Sequence, residues 1–156
     1  MAIRIPDRHA FAITPRVIMC GSRTSTKQED EILAGIIVSR LEVIPKNWTI
    51  VVGYDPKKGT PRGADKIVYR EAKKMGFNVE NHPADWDRYK KGAGAVRNNK
   101  MARSGAQKCI AFWDGESPGT KDMIDRAHYH NIPVEVVPWT RRKKPKPVST
   151  PSKSEG

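Results

Sequence analysis

Apolar residues in this chain fall in short blocks, each closed by turn formers and followed by a segment with helical spacing. Arg16–Cys20 (RVIMC) is continuously apolar after its arginine, as expected for a strand of a parallel sheet covered on both faces. Trp48–Val52, Phe77–Asn81, Lys108–Phe112 and Val134–Val137 repeat the pattern and are predicted as the second to fifth strands. Between the first two, Thr26 and Glu29 form a T-x-x-E capping box. It opens a helix to about Leu41, with Ile32, Ile36, Ile37 and Leu41 on one stripe and Pro45 closing the unit. Ala64–Met75 is a second helix stopped by Gly76, Ala95–Arg103 a third stopped by Ser104 and Gly105, and Gly119–Asn131 a fourth. The stretch His82–Gly94, HPADWDRYKKGAG, reads as a long loop of the kind that carries function.

Strands alternating with helices imply right-handed crossovers and a parallel sheet. The expected fold is α/β, a Rossmann-like three-layer sandwich around a mainly parallel sheet of about five strands. A length of 156 residues suits one such domain, placed at 16–140, and residues 1–15 read as an irregular N-terminal arm. Composition changes this picture only at the other end. Residues 141–156, RRKKPKPVSTPSKSEG, hold no large apolar residue except Val148 and read as a disordered basic tail. Six basic residues against Glu155 give that tail +5 of the net +12, leaving +7 on the body. The tail either binds nucleic acid or another polyanion weakly, or keeps the chain soluble. A basic body suits a pocket for anionic ligands.

Cys20 and Cys109 lie within predicted strands and lack zinc-ligand spacing, so they read as buried free thiols of a reducing cytoplasm. The longest apolar run, Ile32–Val38, is too short to span a bilayer. The first residues mix Arg4, Asp7 and Arg8 with prolines, unlike a secretory signal. The expectation is a cytoplasmic protein with no membrane partner.

Three loops at the carboxyl ends of strands carry the candidate chemistry. Gly53–Asp65 (GYDPKKGTPRGAD) enters a helix at Gly63-Ala64-Asp65, presenting backbone N–H groups where open α/β sheets bind anions. Gly53, Arg62 and Gly63 are its candidate ligand contacts. Asp65, in the first helical turn, reads as a cap that favours the helix dipole. Gly21-Ser22-Arg23 is either a phosphate contact or an ordinary turn. The segment from Trp113 to Thr120 repeats the cradle, with Asp114, Gly115, Ser117 and Gly119 inside it and Thr120 as both cap and donor. In the long loop, Trp86 is either a wall against a flat base or a core aromatic. Arg97 and Asn98 face either a pocket or solvent. His82, Asp85 and Asp87 form too weak a set for a metal site, so no metal and no obligatory cofactor is expected, although Asp85 stays a candidate ligand contact.

GSR, RGAD, HPADWDRYKKGAGAVRN and AFWDGESPGTKDMI, in that order and spacing, resemble the SLOG superfamily over roughly residues 16–138. The match is closest to its YspA-like (YpsA-related) branch. The resemblance implies a Rossmann-like fold, a nucleotide or nucleotide-derived ligand, and a homo-oligomer. It places Gly21, Ser22, Arg23, Gly63, Arg97, Asn98, Ser117, Gly119 and Thr120 in the pocket. More distant relatives include the Lonely Guy phosphoribohydrolases, with a PGGxGTxxE signature, and the DNA-processing protein DprA. The corresponding stretch here is GESPGTKDM, which puts Met123 where those enzymes have a catalytic glutamate. A thioether neither donates nor accepts a proton. The first expectation is therefore a binder that senses, sequesters or presents its ligand, with Trp86 or Trp113 stacking on the base. A nucleotide N-glycosidase using Asp122, Asp85 or Asp114 is the first rival, and a nucleic-acid-binding module the second.

Overall fold

The computed structural model describes residues 14–56 and 62–139. The tail at 141–156, nearly all of the arm at 1–15 and the middle of the Gly53–Asp65 loop lie outside them. In β1 (Arg16–Gly21), Val17 and Met19 point to one side of the sheet and Ile18 and Cys20 to the other, all buried. β2 (Thr49–Val52) and β4 (Lys108–Trp113) divide in the same way, Ile50, Val52, Ile110 and Phe112 on the first side and Val51, Cys109 and Ala111 on the second. Each central strand thus feeds two cores, which is why its sequence is a continuous apolar run. β3 (Asn78–Asn81) and β5 (Val134–Pro138) are the edges and bury much less.

The five strands are all parallel, in the order β3-β2-β1-β4-β5. Helices α1 (Lys27–Leu41) and α2 (Ala64–Lys74) pack on the first core. On the opposite face lie α4 (Ala93–Arg103) and α5 (Pro118–Tyr129). This is the expected α/β three-layer, Rossmann-like sandwich. Its order reverses between β1 and β4: the chain leaves β1 towards β2 on one side and returns to β4 on the other. A crevice opens at such a point, at the carboxyl ends of the strands.

Two local expectations need correction. The buried stripe of α1 is Leu33, Ile37 and Leu41, spaced by four, with Glu29 extending it at the start. Ile36 is only partly buried, and Ile32 is 37% exposed, one residue round the helix from Leu33. One half of the capping box forms, with Thr26 Oγ1 accepting from the Glu29 N–H at 3.0 Å, while Glu29 Oε1 accepts from the Ser25 N–H at 2.6 Å rather than from that of Thr26. The segment His82–Gly94 is not simply a loop. It holds a one-turn helix, α3 (Trp86–Tyr89), then a 3-10 turn (Lys90–Gly92), and α4 already starts at Ala93. Asp85 starts α3 by accepting from the Arg88 N–H at 3.2 Å. Ala93 is fully buried, so packing extends α4 through an Ala-Gly-Ala stretch with little helix signal of its own.

Candidate functional site

The loops after β1, β2 and β4 meet at one cavity of about 830 Å³, closed on a further side by α3 and the start of α4. Gly21, Ser22, Arg23, Gly53, Arg62, Gly63, Trp86, Arg97, Asn98, Ser117, Gly119 and Thr120 all line it, as do Asp114 and Asp122. Three of the expected residues do not. Asp85 is exposed on the outer side, engaged in starting α3. Trp113 packs into the second core, and its indole N–H donates to the Ser117 carbonyl at 3.0 Å, so it is a brace for the loop rather than a stacking surface. Gly115 is exposed with φ +84, a turn that glycine makes possible.

Among the lining residues, several expected ligand groups already serve the protein. Ser22 is buried: its N–H donates to Phe112 O, its carbonyl accepts from the Ala64 N–H, and its hydroxyl accepts from the Asp114 N–H at 3.1 Å. It stitches the three loops together. Gly63, at φ +120, presses against the β1–α1 connection, where an added Cβ would sit 3.0 Å from Arg23 Cα and 3.2 Å from Ser22 O. The Ala64 N–H is spent on Ser22, so the start of α2 is partly filled by protein. Arg62 is paired with Asp30 at 2.6 Å.

Arg97 lies under the cavity. Its guanidinium donates to the carbonyls of Gly53 and His82, and its Nε to Asn98 Oδ1 at 2.8 Å. A Cβ on Gly53 would come within 2.2 Å of Arg97 Nη1, so the glycine is there to admit the arginine. Asn98, buried, passes the chain on: its Nδ2 donates to Asp122 Oδ2 at 2.9 Å and to the Gly119 carbonyl at 3.3 Å. Asp122 also accepts from Arg126 at 2.9 Å. Asn98→Ala leaves the Arg97 Nε without its acceptor and removes the Asn98 side-chain bonds from α4 to α5. The expected loss is about 1–2 kcal/mol, read by urea denaturation.

The carboxylates around the cavity differ in state. Burial pushes Asp114 up, but N–H donors from Glu116 and Ser117 and hydroxyls of Ser117 and Ser22 outweigh it and hold the carboxyl below its ordinary value. Asp114 is thus an ionised loop organiser, and Asp122 is committed to Asn98 and Arg126. Asp65 is the opposite case. Its Oδ1 is buried, and the carboxylate has no hydrogen-bond partner among the described residues. Burial raises its pKa to about 6, against the opposing pull of the Arg97 and Arg23 charges. The expectation that Asp65 caps its helix therefore fails: the N-cap is Gly63, with no side-chain cap bond.

At α5 the start of the helix is open. Pro118 has no N–H, and those of Gly119 and Thr120 meet no acceptor among the described residues. No acidic residue occupies the first turn, and a Cβ on Gly119 would meet nothing within 4 Å. On the β2 side, Tyr54 lines the cavity with its ring backed by Tyr69 at 5.1 Å. Neither Tyr54 nor Asp65 was expected as a ligand residue. Among the described residues, five basic lining residues (Arg23, Arg62, Lys66, Lys91, Arg97) are matched by Asp55, Asp65, Asp114, Glu116 and Asp122, so the described lining is charge-balanced rather than basic.

No protein-family model matches the chain. It is similar to the Gene 61 protein of Mycobacterium phage D29, 46% identical over 81 residues, covering 49% of this chain and 65% of the phage protein. The chain thus spans less than two thirds of that relative's length.

Cys20 and Cys109 are free and buried. Hydrogen bonding to Cys109, then burial, raises the Cys20 thiol well above its ordinary value, so although Cys20 lines the cavity it is no thiolate nucleophile. Met123, 1% exposed, belongs to the second core. His82 contacts Glu80 at 2.6 Å, away from the cavity lining. Among the described residues no cluster of His, Cys, Asp or Glu is suited to a metal, and no helix is long and apolar enough to cross a membrane.

Proposed function

We propose that this chain binds a nucleotide or nucleotide-derived ligand in the cavity, with the phosphate at the N-terminus of α5 and the base against Tyr54 or Trp86. The observation that carries this reading is the convergence of three strand-end loops on one cavity at the switch point between β1 and β4. A volume of about 830 Å³ lies in the range of small-molecule sites. Open N–H groups of Gly119 and Thr120, with no first-turn acid, suit a phosphate. Resemblance to the SLOG superfamily supports the same ligand class. It also makes a sensing, sequestering or presenting role in the cytoplasm the natural context.

A nucleotide N-glycosidase is a second reading, favoured by one observation: an unpartnered carboxyl titrating near neutrality lines the cavity. Asp65 would be its acid or base, in place of Asp122, Asp85 or Asp114.

Native mass spectrometry of the protein with mononucleotides, diphosphates, ADP-ribose and cyclic nucleotides tests the proposal, with products read by chromatography. The expected result is an intact bound nucleotide. Gly119→Ala, which places a methyl group in the open helix start, is expected to weaken it about tenfold or more while leaving stability unchanged or slightly raised. Free base with ribose phosphate would favour the glycosidase, and absence of any bound nucleotide would overturn both readings.

A further inference from the structure

The two helix starts that face the cavity are not equivalent. At α5 the first N–H groups are open and the first turn has no acid. At α2 the first N–H is already bonded to Ser22, the N-cap glycine is pressed against the β1–α1 connection, and the first turn carries Asp65. A phosphate there would meet a carboxylate rather than a donor. The sequence-based symmetry of the two cradles is therefore broken in the folded protein.

Something else has to account for Asp65. Leaving a carboxylate without hydrogen bonds in a partly buried place is costly. The Arg97 and Arg23 charges favour its ionised form, but neither residue hydrogen-bonds to it, and the Arg97 guanidinium is committed to Gly53, His82 and Asn98. The group lies on the cavity wall, accepting from nothing among the described residues. A carboxylate in that condition is built to accept from a ligand. Vicinal sugar hydroxyls fit it best, because two neighbouring O–H groups satisfy the two oxygens of one carboxylate, and acidic side chains take that role in nucleotide-binding α/β sheets.

We propose that Asp65 accepts hydrogen bonds from the sugar hydroxyls of the bound ligand, which makes the start of α2 the sugar end of the site and not a phosphate cradle. This rests on the nucleotide reading above. The ligand then lies with its phosphate on α5 and its ribose against α2, spanning the mouth of β1. Binding through Asp65 requires the ionised form, so affinity falls as the pH drops below the range in which the free protein's carboxyl ionises, about 6.

The test is calorimetric titration of the wild-type chain and Asp65→Asn with AMP, 2′-deoxy-AMP and 3′-deoxy-AMP between pH 5 and pH 8. For the wild type, loss of either hydroxyl is expected to weaken binding about tenfold, and AMP binding to weaken towards pH 5. For Asp65→Asn, AMP is expected to bind about 10- to 100-fold more weakly, with the deoxy penalty and the pH dependence both reduced. Equal deoxy penalties in the two proteins would overturn the role of Asp65 and leave the nucleotide reading intact. AMP binding by neither protein would overturn the assignment of Asp65 to the sugar of a mononucleotide, while the nucleotide reading stands or falls on the wider panel above. Melting of Asp65→Asn at or above the wild-type temperature shows that any loss of binding is not a loss of fold.

Discussion

Replacing Gly21 with alanine is expected to destabilise the protein by at least about 3 kcal/mol, lowering the unfolding midpoint by roughly 6–12 °C. The added Cβ would lie 2.6 Å from the Phe112 carbonyl oxygen and 2.6 Å from Ala64 Cβ. Neither neighbour has a torsion that moves it away. Phe112 is held in the ladder, where Gly21 is its register partner, and Ala64 is held by its N–H on Ser22. Relief requires β1 to separate from β4 or α2 to lift from the sheet, and each opens a core. Differential scanning calorimetry of Gly21→Ala beside Gly119→Ala checks this. Both are βα-loop glycines of the same cavity, yet only the first meets an obstruction. Similar midpoints for the two variants would show that Gly21 is not packed as described.

Asp65→Asn is expected to do the reverse, and only at neutral or alkaline pH. The folded-state pKa of Asp65, about 6, lies above the ordinary value of 3.8. The carboxyl's contribution is therefore most favourable below 3.8, declines as the pH rises and is wholly lost above about 6. At 1.36 kcal/mol for each pH unit between these values, ionisation costs the free protein about 3 kcal/mol. Removal of the carboxylate also forfeits some tenths of a kcal/mol of favourable interaction with the start of α2. The net expectation is about 2 kcal/mol of added stability at pH 8 and none near pH 4. That corresponds to a midpoint higher by roughly 4–8 °C at pH 8. Thermal melts across that range test it. A variant that gains nothing at pH 8 would mean that Asp65 is as well solvated in the folded chain as in the unfolded one. A stabilising change at a proposed ligand residue is the usual sign of stability given up for function.

The sheet was legible because central parallel strands must be apolar on both faces, and RVIMC states this without ambiguity. The helices were legible from their stops and from the Thr26–Glu29 box; in α1 Ile37 and Leu41 are buried as expected, while Leu33 takes the place expected of Ile32. Ile32 and Leu33 are adjacent and equally apolar, and only the direction of the sheet decides between them. The loops of the site were legible because glycines follow the strands. What those glycines do was not. Gly53 admits Arg97 from forty-four positions away, and Gly63 yields to the backbone of Arg23; both are contacts between distant segments. Asp65 was hidden by a local rule. An acid in the first turn satisfies helix capping so well that the sequence offers no reason to look further. Only the fold shows that the first N–H of α2 is bonded to Ser22 and that the Asp65 side chain makes no cap bond. Trp113 was misplaced for the opposite reason: a tryptophan beside a phosphate-type loop invites stacking, whereas its indole N–H is consumed four residues on by Ser117.

The reversal of strand order has a mechanical side. One half of the molecule is β1, α1, β2, α2 and β3, and the other is α4, β4, α5 and β5. Along the sheet they are joined by a single ladder, that of β1 with β4. Above that ladder Ser22 bonds to Asp114 and Phe112, and Arg97 reaches over to Gly53 and His82; elsewhere Arg16 bonds to Gln107, Ser104 and Gly105, Arg40 pairs with Glu135, and both cores run across the seam. A molecule gripped at once by α2 and α5 is a clasp across this seam. A ligand held as proposed would add one more joint to those already crossing the seam, so its binding is expected to make the two halves harder to part.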